Sequence, residues 1–153
     1  MACLAALGAL LTLASANGEA KNRPNIVFIY TDDMRYDELK KIPRFRSLLV
    51  DRGVTFKNAF VTNSVCCPSR VTALTGLYSS NHGVTNNLGG DGAGGYPAYK
   101  ARGLGKNNVA VWLRRVNYKT ALFGKFINGY GSARPPDGFS YYKRTNSTNE
   151  RSW

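Results

Sequence analysis

Asn25-Ile26-Val27-Phe28-Ile29-Tyr30-Thr31-Asp32-Asp33 sets the expected architecture of this 153-residue chain. A continuous apolar run of this kind is the pattern of a strand covered on both faces within a parallel sheet. Two carboxylates follow it immediately. Pro43 then opens a helical stretch through Phe45, Leu48 and Leu49, which Gly53 ends before a short strand at Val54-Thr55-Phe56. Val109, Trp112, Leu113 and Val116 are spaced for one buried helical face, with Asn107 or Asn108 as the cap. Tyr118 to Phe123 reads as a further strand that runs into Gly124-Lys125. Strands alternating with helices imply an α/β fold with a mostly parallel sheet. Ligands in such folds bind beyond the carboxyl ends of the strands, so Asp32-Asp33 and Lys125 are expected at one edge.

The centre of the chain reads Cys66-Cys67-Pro68-Ser69-Arg70-Val71-Thr72-Ala73-Leu74-Thr75-Gly76. Pro68 suits the first turn of a helix, and Gly76 marks its end. Cys66 is therefore expected just ahead of a helix N-terminus, where free N–H groups and the positive end of the dipole favour an anion. Arg70, one turn in, adds a planar fork able to bind two oxygens of a tetrahedral oxyanion. A free Cys is more often a small buried hydrophobe than a reactive group. A disulfide framework fits poorly, because the chain has three Cys and the two central ones are adjacent. Cys67 reads as a packing residue. Adjacent carboxylates such as Asp32 and Asp33 suit Ca²⁺ or Mg²⁺ as hard ligands, although taken alone such a pair is more often a turn or a solvated pair.

These residues resemble the type I sulfatases. The central block fills every fixed position of the family pattern C-x-P-S-R-x-x-x-L-T-G, in which the first Cys is oxidised to formylglycine. Arg23 to Asp33 is similar to the family's N-terminal block, and Tyr118 to Phe126 to its second signature. The resemblance covers about residues 23–130. It implies an alkaline-phosphatase-like sandwich with a mostly parallel central sheet, of which this chain is the N-terminal part. It implies catalytic roles for Cys66, Arg70 and Lys125, and a divalent cation, Ca²⁺ or else Mg²⁺, held by Asp32, Asp33 and the side chain derived from Cys66. One hydroxyl of the hydrated aldehyde would attack sulfur and displace the alcohol; deprotonation of the other would expel sulfate. Many members carry a catalytic His two positions beyond the Lys, where this chain has Ile127. The Gly-Lys-Phe-Ile-Asn form resembles the branch of glucosamine-6-sulfatases, extracellular heparan sulfatases and some algal arylsulfatases, and adds Asn128 as a pocket candidate. His82, the single His, is read as a structural or rim residue in preference to a general acid. The family's domain is much longer and takes further metal ligands from downstream, so this chain is expected to be an N-terminal fragment without turnover of its own.

Leu4 to Ala14 is apolar and precedes Ala14-Ser15-Ala16, the pattern of a secretory signal peptide over residues 1–20, with cleavage after Ala16 or Ala20. The run is too short for a membrane span. Residues 21–131 then form the sulfatase portion, and 132–153 a polar tail with little regular structure. Gly89 to Gly95 lacks phosphate-binding spacing and reads as flexible surface. The sequon Asn146-Ser147-Thr148 fits a secreted or lysosome-like destination. A net charge of +12 suits polyanions, as substrate steering or simply as a solvated face. The expected partners are a sulfated small molecule or glycan and a formylglycine-generating enzyme, not nucleic acid. A non-catalytic basic module that binds sulfated glycans is the alternative reading.

Overall fold

The computed structural model describes residues 23–88 and 92–144. The expected signal peptide and the sequon lie outside these residues. The chain divides into two compact units, residues 1–31 and 32–153. Of the first, residues 23–31 are described: they join no strand ladder, and Phe28 is 73% exposed. The strand expected at Asn25–Tyr30 is therefore not formed. An apolar run becomes a strand only when a neighbouring strand completes its ladder, and no strand pairs with it among the described residues.

In the second unit, the stretch from Pro43 coils as expected but unevenly. A single α-turn, α1 (Pro43–Phe45), passes into a wide π-type turn at Arg46–Val50. Val54 to Phe56 is exposed and extended without pairing, so the short strand expected there is absent. Four helices follow: α2 (Cys66–Thr75), α3 (Ser79–His82), α4 (Gly95–Ala101) and α5 (Val109–Arg115). Gly76 closes α2 at φ 70°, with its N–H on the Thr72 carbonyl at 2.8 Å. Such a left-handed cap suits glycine, which has no Cβ to clash.

Asn108 is the cap of α5. It is wholly buried, and its Oδ1 accepts from the N–H groups of Ala110 (2.9 Å) and Val111 (3.1 Å). Its amide nitrogen donates toward Tyr99 Oη, the Gly105 carbonyl and the Asp137 carbonyl. One side chain thus starts a helix and ties it to two other segments. Asn107 serves Trp112 instead, accepting from the indole N–H at 2.7 Å.

Two strands are present among the described residues, β1 (Ala121–Phe123) and β2 (Tyr141–Lys143), paired in parallel with Leu122 opposite Tyr142. β1 realises the end of the strand expected over Tyr118–Phe123. β2 corrects the expectation of an irregular tail from Ser132: its residues lack an apolar run, and the β1 ladder supplies what local pattern does not. The core gathers Cys67 and Val71 of α2, Val84, Ala98 and Tyr99 of α4, and Phe126 and Ile127 beyond β1. Phe126 packs edge-on against Tyr99, Tyr130 and Phe139. The glycine-rich loop is also not plain surface: Gly94 and Gly95 are buried, and Gly95 opens α4. Among the described residues no helix is long and apolar enough to cross a membrane. The sheet and helices make an α/β arrangement.

Candidate active site

α2 starts earlier than Pro68 alone suggests. Val65 is extended and accepts from the Ser69 N–H at 3.0 Å, which makes Cys66 the first helical residue and Pro68 the third. Cys66 therefore stands in the first turn, not ahead of it. Its partner Asp33 holds a left-handed backbone (φ 56°), a conformation that Asp adopts more readily than most residues. The Cys66 thiol points at Asp33 Oδ1, 3.5 Å away. One turn further, Arg70 reaches Asp32 Oδ1 with Nε (3.3 Å) and Nη2 (3.1 Å), and the Lys125 carbonyl with Nη1 (2.8 Å). Lys125 itself, just past β1, donates from Nζ to Asp32 Oδ2 at 2.8 Å.

Three segments far apart in sequence thus meet at one point: the Asp pair, the first turns of α2, and the end of β1. The convergence expected from topology is observed, although the strand expected before Asp32 does not form. Asp32, Asp33 and Cys66 place one potential ligand atom each within 4.8 Å of one another. The carboxylates are hard oxygen donors of the kind Ca²⁺ and Mg²⁺ prefer. Each Asp32 oxygen has a cationic partner, yet a carboxylate carries about four lone-pair sites, so room for a metal bond remains. The donor set fits a divalent cation in kind and supplies part of its shell.

Burial opposes the charged forms of Asp32, Lys125 and Cys66, and the neighbours overturn its effect on the first two. For Asp32, burial pushes the pKa up, but hydrogen bonds from Lys125 and Arg70 outweigh it and hold the carboxyl below its ordinary value. For Lys125, burial pulls the pKa down, and the Asp32 bond overturns this to leave the amine more basic. Cys66 moves the other way: burial raises its thiol pKa, and the nearby Asp32 and Asp33 charges add to this against Lys125. Cys67, wholly buried, is pushed up to about 11, chiefly by burial. It is a packing residue, in keeping with its sequence reading.

His82 is not part of this site. It is 1% exposed, its Nδ1 accepts from the Val84 N–H at 3.0 Å, and its Nε2 faces Thr72 Oγ1 at 3.1 Å. The neutral Nε2–H tautomer satisfies both contacts. Its position is interior, which settles the sequence alternatives in favour of structure over rim. Asn128 keeps its Oδ1 buried without a hydrogen-bond partner, and its carbonyl accepts from the Tyr96 N–H at 2.7 Å. One residue escaped the sequence reading altogether. Asn87 accepts the Cys67 N–H at 2.7 Å from twenty positions away, and no local pattern announces such a contact.

A cysteine at a helix start, flanked by a carboxylate pair and two cations, is the layout of a site that handles a charged oxyanion. The Sulfatase family model matches residues 24–153, and the chain belongs to that family. It is 38% identical over 132 residues to an arylsulfatase of Volvox carteri, covering 84% of this chain and 19% of that protein. It is 35% identical over 127 residues to an extracellular sulfatase SULF-1 homolog of Drosophila melanogaster (81% and 11%). With a human N-acetylglucosamine-6-sulfatase it shares 34% over 131 residues (78% and 23%). The chain therefore spans less than a quarter of the length of each of these relatives. No solved structure matches it significantly.

Proposed function

We propose that this chain forms the nucleophile-bearing portion of a sulfatase that hydrolyses aryl or carbohydrate sulfate esters. The observation that carries the proposal is the meeting of Cys66 at Asp33 with Arg70 and Lys125 at the neighbouring Asp32. A cysteine that attacks as a thiolate sits where its pKa is depressed. Burial and the neighbouring carboxylates raise the Cys66 thiol pKa instead, unlike such a nucleophile. As formylglycine, made by a formylglycine-generating enzyme, residue 66 would supply one hydroxyl to attack sulfur and a second to release sulfate. Asp32, Asp33 and residue 66 would hold a divalent cation, Ca²⁺ by resemblance to the family or else Mg²⁺, which would polarise the sulfate oxygens.

The remaining work falls to side chains of this chain. Arg70 and Lys125 neutralise charge on the sulfate oxygens as it shifts toward the leaving alcohol, and Asp32 holds both in place before substrate arrives. Arg70 is well placed for this, its side chain being only 11% exposed and anchored on the Lys125 carbonyl. The parallel pair and its flanking helices would belong to a larger alkaline-phosphatase-like sandwich. The apolar leader motif and the relative named as extracellular favour the secretory route.

The test is chemical. The chain, produced alongside a formylglycine-generating enzyme, is digested with trypsin and the peptide Asn58–Arg70 is probed with a hydrazide. Aldehyde at residue 66 is the expected result. Unmodified thiol, together with salt-sensitive heparin binding, would instead favour the glycan-binding module.

A further inference from the structure

The first N–H groups of a helix have no partner within it, and a cap must come from elsewhere. α2 begins after Val65, which has no side-chain acceptor to offer, and no cap bond is made from that position. The Cys67 N–H instead reaches Asn87 Oδ1 at 2.7 Å, a tertiary contact that does the work of a capping Ser or Asp. Asn87 is itself held by a closed loop. Thr85 N–H bonds the Ala93 carbonyl at 2.7 Å, Gly95 N–H the Asn86 carbonyl at 3.1 Å, and Leu88 N–H the Asn86 side chain at 3.0 Å.

Gly95 lets this loop close. At φ 63° it is in the left-handed region, and a Cβ there would lie 3.0 Å from the Asn87 carbonyl and 3.2 Å from that of Asn128. The next residue, Tyr96, donates its N–H to the Asn128 carbonyl. The loop therefore grips the start of α2 through Asn87 and the segment just beyond Lys125 through Tyr96. Residue 66 and Lys125 are registered against each other by one short piece of backbone.

We propose that Asn87 is a positioning residue that sets the place of residue 66 in the site, acting through the Cys67 N–H. The inference rests on the reading of residue 66 as the reacting group, but its test needs no turnover. The full chain is prepared with Cys66 as thiol and labelled with ¹⁵N, as wild type, Asn87→Ala and Asn87→Asp. Amide exchange is followed at Cys67, Val71 and Thr75, and alkylation of Cys66 by iodoacetamide is followed by mass spectrometry of Asn58–Arg70.

Asn87→Ala speeds exchange at Cys67 about tenfold, leaves Val71 and Thr75 within about twofold, and changes the Cys66 alkylation rate. Asn87→Asp restores the acceptor and reverses both effects. Unchanged exchange and alkylation in Asn87→Ala overturn the proposal. So does equal acceleration from Cys67 to Thr75, the mark of general loosening. Should Asn87→Ala fail to fold, Asn87→Asp decides alone: its charged acceptor slows Cys67 exchange and shifts that amide resonance, and the absence of both overturns the inference. Failure of the hydrazide test would refute the sulfatase reading and leave this result standing.

Discussion

Asp32→Asn is the most informative single change, because one carboxylate holds both cations of the site. Asn keeps the shape and one acceptor but removes the charge that Arg70 and Lys125 share. Hydrogen bonds to charged groups contribute about 1.5–3 kcal/mol each. The side chains of Asp32 and Lys125 are 28% and 25% exposed, so solvent screening lowers that figure toward surface-pair values. A combined loss of about 2 kcal/mol results, and at about 4 °C per kcal/mol for a chain of this size the melting midpoint falls by about 8 °C. Thermal unfolding by circular dichroism at neutral pH measures it. The pH dependence has a fixed sign. The Asp32 pKa is depressed in the fold, so its contribution is full above the ordinary value of 3.8 and is lost as pH falls below it. The Lys125 pKa is raised, so its share is full below 10.5 and fades as pH rises past it. Wild type and variant should therefore differ most near neutrality and draw together as pH falls below 3.8. A midpoint shift below about 2 °C at neutral pH, or a difference that does not shrink as pH falls below 3.8, refutes the reasoning.

Asn108→Ala removes two capping acceptor contacts and the donors to three other groups, and should cost about 3 kcal/mol in urea unfolding; a loss under about 1 kcal/mol would show that its network is redundant. Calcium titration of residues 21–153 should give weak binding and little thermal stabilisation, since Asp32, Asp33 and residue 66 supply only part of the six to eight oxygens Ca²⁺ takes. Tight one-to-one binding by calorimetry would contradict this. Burial lowers the His82 pKa, so the ring stays neutral in the fold and its stabilisation, complete above 6.5, is lost as pH drops below that value. Imidazole NMR should show the Nε2–H tautomer and a titration midpoint under 6.5; a midpoint at or above it would place His82 outside the core.

What could be read ahead of the fold was local. The helix after Cys66 carries its own stop in Gly76, α5 carries its own cap in Asn108, and β1 is a run of strand formers; each signal lies within a few residues of the element it specifies. Asn25–Tyr30 and Val54–Phe56 carry equally good strand patterns and form none, because a strand is completed by partners that no local pattern contains. β2 is the converse case: Tyr141 and Tyr142 suit a strand, but a polar, Pro/Gly-punctuated context hid them until β1 supplied the partner. In the site, the charged side chains were legible because their types and positions at element ends point to anion and cation chemistry. Asn87 was not, since its contact spans twenty residues and depends on the closure of the 85–95 loop.

The arrangement around Asp32 also bears on the chain's net positive charge. Arg70 and Lys125 both pair with Asp32, and Asp33 stands beside Cys66, so two positive and two negative charges offset one another in the site. The surplus of +12 must then be carried by the rest of the surface. On the proposed function, recruitment and retention would then be divided: a distant, diffuse field would draw the anion in and weaken with ionic strength, whereas the site would hold it by directed donors that salt barely touches. An anion would arrive more slowly in brine, yet once seated would leave at nearly the same rate.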